Sequence, residues 1–333
     1  MSNQGLRQAS VRAITGTTST YEGDWHALFD ASAIPVGTFN GRLLAWINQE
    51  LGAEYTELNG AMYAFAQSLG AASWNELGSF LDPDAADYIS RVQAADGALM
   101  EVGVKRAFNK FVIKQKNTPS PNVSVMQWEA LKSAVPMIGA HSLAGALVPL
   151  RGDAPTNFNF VAGDYDRTMG LKGNGVDKYL NANRNNNADP KNNKHLAVYI
   201  SESGSLTDLR SLIGFGTGSG SSQLLTLKSS NLLYVRLNYT GSSTVVIPVP
   251  LTGLVGASRM TATNVDYYYQ GTAGSRDSNS VTPLNGDITV FANAGGSNCD
   301  DRLYFYSIGE AVDLEELAAD VEILNQEIQA ALS

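Results

Sequence analysis

The sequence predicts an α+β chain of several domains: an N-terminal helical module, an antiparallel β-sandwich and a short C-terminal helix. Three observations carry this expectation. Apolar residues recur at spacings of three and four up to about Lys116, the period of a helix face. From Asn157 onward the apolar runs are short and alternating, separated by Gly, Asn, Ser and Asp, which is the period of strands joined by turns. The aromatic residues divide at the same place: all four tryptophans lie within the first 128 residues, whereas ten of the fourteen tyrosines follow residue 160. The expected divisions are an arm over 1–22, the helical module over 23–120, the sandwich over 121–310 and the terminal helix over 311–333.

In "TFNGRLLAWINQELG" residues Phe39, Leu43, Ile47 and Leu51 form one stripe, and Gly52 supplies a stop. "TELNGAMYAFAQSLG" repeats the design with Leu58, Met62, Phe65 and Leu69 ahead of Gly70. Asp82 and Pro83 open a third helical run that extends to Lys116 with a break near Gly97. Trp25, Trp46 and Trp74 are expected in the core of this module, and "KQKNTPSPNVS" reads as the linker that follows it. The strands are "HLAVYIS", "LLTLKS", "NLLYVRLNY", "TVVIPVP", "DITVFANA" and "RLYFYSIG", with no helices between them, so a βαβ fold is excluded. In the tail, Leu314, Leu317, Val321, Leu324 and Ile328 make a seam that Asp313 can cap. The seam either folds back on its own sandwich or is buried between copies in a homo-oligomer.

At 333 residues, 44% hydrophobic and 17% charged, the chain can bury a core, and its formal charge of −9 argues against nucleic acid as a partner. No window approaches the roughly 20 apolar residues that span a bilayer, and the N-terminus lacks the apolar segment of a secretory signal, so the chain reads as made in a cytoplasm without membrane insertion. Cys299 stands alone and reads as a buried bystander.

The stretch from Gly170 to Ser201 begins "GLKGNGVDKY", but its glycines lead to a strand rather than a helix, so it does not read as a phosphate cradle. Its asparagine-rich centre is either a solvated loop or a polar contact surface built from Arg184, Asn185, Asn186, Asn187, Lys191 and Lys194. In "DYYYQGTAGSRDSNS" Tyr267 and Tyr269 share one strand face and Tyr268 the other, with Asp277 nearby, and at least one tyrosine is expected to be exposed for a sugar or partner. Strands that carry two acids at i and i+2 for glycan hydrolysis are missing. His26, His141 and His195 lie in no metal-binding spacing, and Ser142 sits in no nucleophile elbow. The expectation is a non-enzyme without a cofactor. Calcium is the one ion left open, through Asp164, Asp166, Asp277, Asp300 and Asp301, which otherwise read as ordinary turn aspartates.

The series "DPDAADYISRVQAADGALMEVGVKRAFNKFV", "GAHSLAGALVPLRGDAPTNFNFVAGDYDRTMGLKGNGVDKYLNANRNNNADPKNNKHLAVYIS" and "RLYFYSIGEAVDLEELAADV" resembles a module of tailed-bacteriophage virion proteins. "GDWHALFDASAIPVGTFNGRLLAWINQELG" is similar to N-terminal regions of such proteins. The resemblance covers roughly residues 82–325 and implies a concanavalin A-like or laminin-G-like jelly roll in a tail fibre or receptor-binding component that contacts host surface glycan. It equally implies, as the alternative, a capsid decoration or structural subunit that contacts only virion proteins. It carries no catalytic residues.

Overall fold

A computed structural model describes residues 29–30, 32–68, 81–122, 124–205, 207–239, 241, 243–294 and 296–333. The described residues fall into two compact units, one within 1–112 together with 327–333, the other within 113–326. Trp25, His26, Leu69, Gly70, Trp74 and the expected arm over 1–22 lie outside the described residues.

In the first unit, helix α1 (Phe39–Leu51) starts where the Thr38 hydroxyl accepts the Gly41 N–H at 3.2 Å and stops at Gly52, whose φ of 59° suits a residue without Cβ. Its stripe points inward: Leu43, Trp46 and Ile47 join Phe65 and Ala61 of α2 (Leu58–Ser68) in a core that also holds Phe29 and Ile34. The Trp46 and Phe65 rings meet at 5.1 Å. Helix α3 (Pro83–Asp96) opens with the Asp82 carboxylate on the Asp84 N–H at 2.9 Å and ends at Gly97 in the left-handed conformation, where the sequence places the break. Helix α4 runs Val102–Asn117.

The expected linker after α4 is a hydrogen-bonded turn. The Ser120 N–H reaches the Val125 carbonyl at 3.1 Å, the Gln127 N–H the Thr118 carbonyl at 2.8 Å, and Thr118 and Ser120 are buried. Prolines 119 and 121 end the helix as expected, but their neighbours find backbone partners instead of solvent. The compact units divide within α4.

The second unit is the sandwich. After the short helix α5 (Gln127–Ala130) come β1 (Leu131–Pro136), helix α6 (Leu143–Ala146), β2 (Thr156–Phe158), β3 (Tyr165–Asp166), β4 (Gly170–Lys172), β5 (Tyr179–Asn185), β6 (Lys194–Glu202) and β7 (Leu209–Phe215). There follow β8 (Ser221–Leu227), β9 (Leu232–Tyr239), β10 (Thr244–Val246), β11 (Gly253–Arg259), β12 (Asn264–Tyr269), β13 (Thr272–Asp277), β14 (Asp287–Val290), β15 (Arg302–Gly309) and helix α7 (Leu314–Leu332). One sheet has the order β13-β12-β11-β6-β15-β4-β3 with β1 also on β15, the other β10-β9-β8-β7-β14-β5-β2. Every strand ladder among the described residues is antiparallel, including the distant pairs β1–β15, β6–β11 and β6–β15.

Alternation sorts the side chains. Leu196, Val198 and Ile200 of β6 and Leu233, Val235 and Leu237 of β9 enter the shared core between the sheets. The other face of β6 is buried as well, because α7 lies on it. The Tyr199 hydroxyl donates to the Glu322 carboxylate, and a Cβ on Gly256 of β11 would stand 2.6 Å from Leu314 Cδ2, so a larger residue there would push the Leu314 side chain aside. Asp313 caps α7 through the N–H groups of Glu315 and Glu316.

Between α4 and α7 the Gln115 amide donates to the Asp320 carboxylate at 2.6 Å. Burial holds Asp320 up at about 6, against Lys114, which pulls it down. An acid whose folded pKa is raised destabilises the fold as it ionises, so the cost appears as pH rises through about 4 to 6 and is fully present above that. Asp320→Asn is expected to raise stability by about 1–3 kcal/mol at pH 7.5, with the gain fading below about pH 4, as read from urea unfolding at both pH values.

Candidate functional site

The asparagine-rich loop between β5 and β6 is built as a structural turn. Arg184 spends its guanidinium on buried Asp189 with 21% of its side chain still exposed, and Asn186 is 0% exposed and so reaches no surface. Asn185 accepts the N–H groups of Asn187 and Gly286 at 3.0 and 3.1 Å and donates to Asn285 at 2.7 Å. Lys194 is fully buried. Of the expected surface only Asn187 and Lys191 remain exposed. The correction has a physical cause: Asn side chains that saturate turn N–H and C=O groups leave solvent with the backbone they serve.

The tyrosine hairpin is corrected in the same sense. Tyr267 and Tyr269 do share a face, with rings 6.1 Å apart, but it is the inner one. Tyr269 sits in the core with its hydroxyl on the Val246 carbonyl at 3.0 Å, and Tyr267 packs against that core. Tyr268 is half-buried on the opposite face, beside Gly256. Asp277 is exposed at the end of edge strand β13. The five seam residues of α7 are buried within the chain, so their cover is already supplied without a second copy.

The remaining candidates for chemistry are committed to structure. His195 is completely buried, and burial pushes it down to about 4. Because a carbonyl can only accept, Nδ1 carries the proton to the Glu310 carbonyl at 2.5 Å, and Nε2 accepts from the Ser307 hydroxyl at 3.0 Å. Burial raises the Cys299 thiol pKa, which leaves it unreactive. Asp164 pairs with Lys178 at 2.6 Å, Asp166 accepts two N–H groups and a hydroxyl of its own turn, Asp300 accepts from Ser205, and Asp301 pairs with Lys228 at 2.7 Å. Among the described residues no three His, Cys, Asp or Glu side chains gather as metal ligands. In "GNGVD" the N–H groups of Val176, Asp177 and Lys178 all point at the Asn174 side-chain oxygen, which occupies the place an anion would need.

What the fold does present is an aromatic platform at one sheet edge. On β2 Phe158 stands directly opposite Tyr179 of β5, and the rings stack at 4.3 Å and 6°. In a regular strand Phe160 would share the face of Phe158. Asn159 instead takes φ 66°, with the Asn157 side chain clamping both backbone groups of Phe160, and this turns Phe160 into the core against Phe291. Phe158 is left outside, 37% exposed, with Val161 at 59% and Val176 at 75%. The Asn159 amide reaches Asp177 at 3.1 Å and ties the two loops that carry these valines. The result is a small apolar surface rimmed by Asn157, Asn159, Asn174 and Asp177, a combination of flat ring and fixed amides that marks interaction sites. "NFNFV" was its only sequence signal, and the strand period alone conceals it.

No family model and no curated protein sequence matches the chain. Among solved structures it is similar to the botulinum neurotoxin serotype D binding domain, at 11% identity and TM-score 0.42 over 58% of this chain and 51% of that one. It is similar to Trypanosoma rangeli sialidase at 11% identity and TM-score 0.42, over 68% of this chain and 39% of that one. It is similar to domain 4 of an extracellular arabinanase from Geobacillus stearothermophilus, in complex with arabinotriose, at 11% identity and TM-score 0.38, over 57% and 98%. The chain thus spans about half or less of the first two. With these TM-scores below 0.5, none of the likenesses bears on what the chain does.

Proposed function

We propose that the chain is a non-catalytic component of a tailed-phage particle, of the tail-fibre or receptor-binding kind, whose sandwich contacts host surface glycan. The observation that supports the glycan contact is the exposed Phe158 ring backed by Tyr179 and rimmed by side-chain amides and a carboxylate. A pyranose ring stacks its C–H face on such a ring while its hydroxyls meet the amides. The phage assignment rests on the resemblance of the sequence segments. The non-catalytic assignment is supported by the engagement of His195, Asp164 and Asp301 in structural hydrogen bonds and ion pairs.

A second reading, a capsid decoration or other subunit whose contacts are with particle proteins alone, is favoured by β13. This edge strand is exposed at five of its six residues and has one open side for another chain's strand.

A glycan array of host surface polysaccharides separates the two. The glycan reading expects a hit whose affinity falls at least about tenfold, roughly 1.4 kcal/mol, in Phe158→Ala, with the melting temperature nearly unchanged because the ring is at the surface. An array with no hit, alongside co-purification with particle proteins that Phe158→Ala leaves intact, would replace it with the second reading.

A further inference from the structure

The loop between β5 and β6 buries a lysine without a counter-ion. Lys194, the first residue of β6, is 0% exposed, and among the described residues its ammonium donates only to Asn186, to the main-chain oxygen at 2.5 Å and to Oδ1 at 2.6 Å. The buried carboxylate of the same loop, Asp189, is taken by Arg184. Asn186 is also 0% exposed, and its carboxamide cannot rotate: Nδ2 donates to the carbonyls of Gly220 at 3.1 Å and Leu284 at 3.0 Å while Oδ1 faces the lysine. An amine and a carboxamide are therefore held in contact and sealed from solvent.

We propose that Lys194 and Asn186 join in an intramolecular isopeptide bond once the chain has folded. The lone pair of neutral Nζ attacks Cγ and the carbonyl electron pair moves to Oδ1. As the tetrahedral adduct collapses, the Cγ–Nδ2 bond breaks, a proton passes from Nζ to Nδ2, and ammonia leaves. One C–N bond forms and one breaks, and neither oxidant nor co-reactant is needed. Three features of the site favour the step. Burial pushes Lys194 down to about 7, opposed by Asp189 and reinforced by Arg184, so near neutral pH much of the amine holds its lone pair. Fixed contact replaces a bimolecular encounter with an intramolecular one. The amide produced carries no charge, whereas the lysine it consumes is a buried cation facing neutral acceptors.

The test is the intact mass of the full chain after incubation, folded, at pH 8. The expected mass is lower than that of the sequence by one ammonia, and digestion yields the peptide beginning at Asn185 joined to the one containing Lys194. Lys194→Arg and Asn186→Ala are expected to show the full masses of their sequences. A wild-type chain that keeps its full mass after prolonged incubation would overturn the proposal and leave Lys194 a hydrogen-bonded buried amine. Loss of ammonia without the joined peptide would overturn it too, since cyclisation of another asparagine would then account for the mass.

Discussion

Replacing Lys228 with Met is expected to destabilise the protein by about 3–5 kcal/mol, read as a lower urea midpoint with an unchanged slope. Lys228 and Asp301 form an ion pair at 2.7 Å with side chains only 4% and 1% exposed. Asp301 Oδ1 takes the lysine and the Gly204 N–H at 2.7 Å, but among the described residues its Oδ2 has no hydrogen-bond partner. Without the ammonium a carboxylate would remain buried with one N–H donor, and desolvation of an unpaired charge is the expensive outcome. The pair is not thereby a net source of stability: Lys228→Met combined with Asp301→Leu is expected to recover much of the loss, because an apolar pair has no charge to desolvate. If the double variant were as unstable as the single one, the staple that these residues and Ser205 with Asp300 make on the β6–β7 loop would be the larger contribution.

This pair also shows where the sequence ceases to be legible. Helices α1, α3 and α7 were readable because their stops, caps and apolar period are local: Gly52, Asp82, Gly97 and Asp313 each act within four residues. The strands were readable from alternation. Which face of a strand is doubly covered was not, because that depends on α7 returning over β6 from more than a hundred residues away. Hence Asp301, read as a turn residue or calcium ligand, is an ion-pair partner of a lysine 73 positions earlier. Likewise Asn186 and Asn187 are adjacent and chemically identical, yet one is buried under Gly220 and Leu284 and the other is in solvent. The aromatic platform failed for the opposite reason. There a single left-handed residue, Asn159, overrides the strand period that the reading relied on.

Changing Leu317 and Leu324 together to Lys is expected to cost at least about 4 kcal/mol and to lower the melting temperature sharply, with the molecular mass in light scattering unchanged. Leu317 is 0% and Leu324 2% exposed within one chain. Truncating a buried leucine to Ala alone costs about 2–5 kcal/mol, and each lysine adds a charge at a buried position. Long stems could let the ammonium groups reach solvent by lifting this stretch of α7, which would uncover Tyr304 and Tyr199, whose rings stack at 4.3 Å beneath it, and free the Glu322 carboxylate that the Tyr199 hydroxyl holds. The surface so exposed is the outer face of β6 and β15, and the variant is expected to bind a hydrophobic dye that the wild type ignores. Mass is the discriminating readout. A seam shared between copies would lose its partner and show a smaller species with its melting behaviour nearly intact, whereas a seam closed by the chain's own sheet must lose stability without changing size. Since the seam residues find their burial inside a single chain, the second pattern is expected. A drop in mass with an unshifted melting temperature would reverse it.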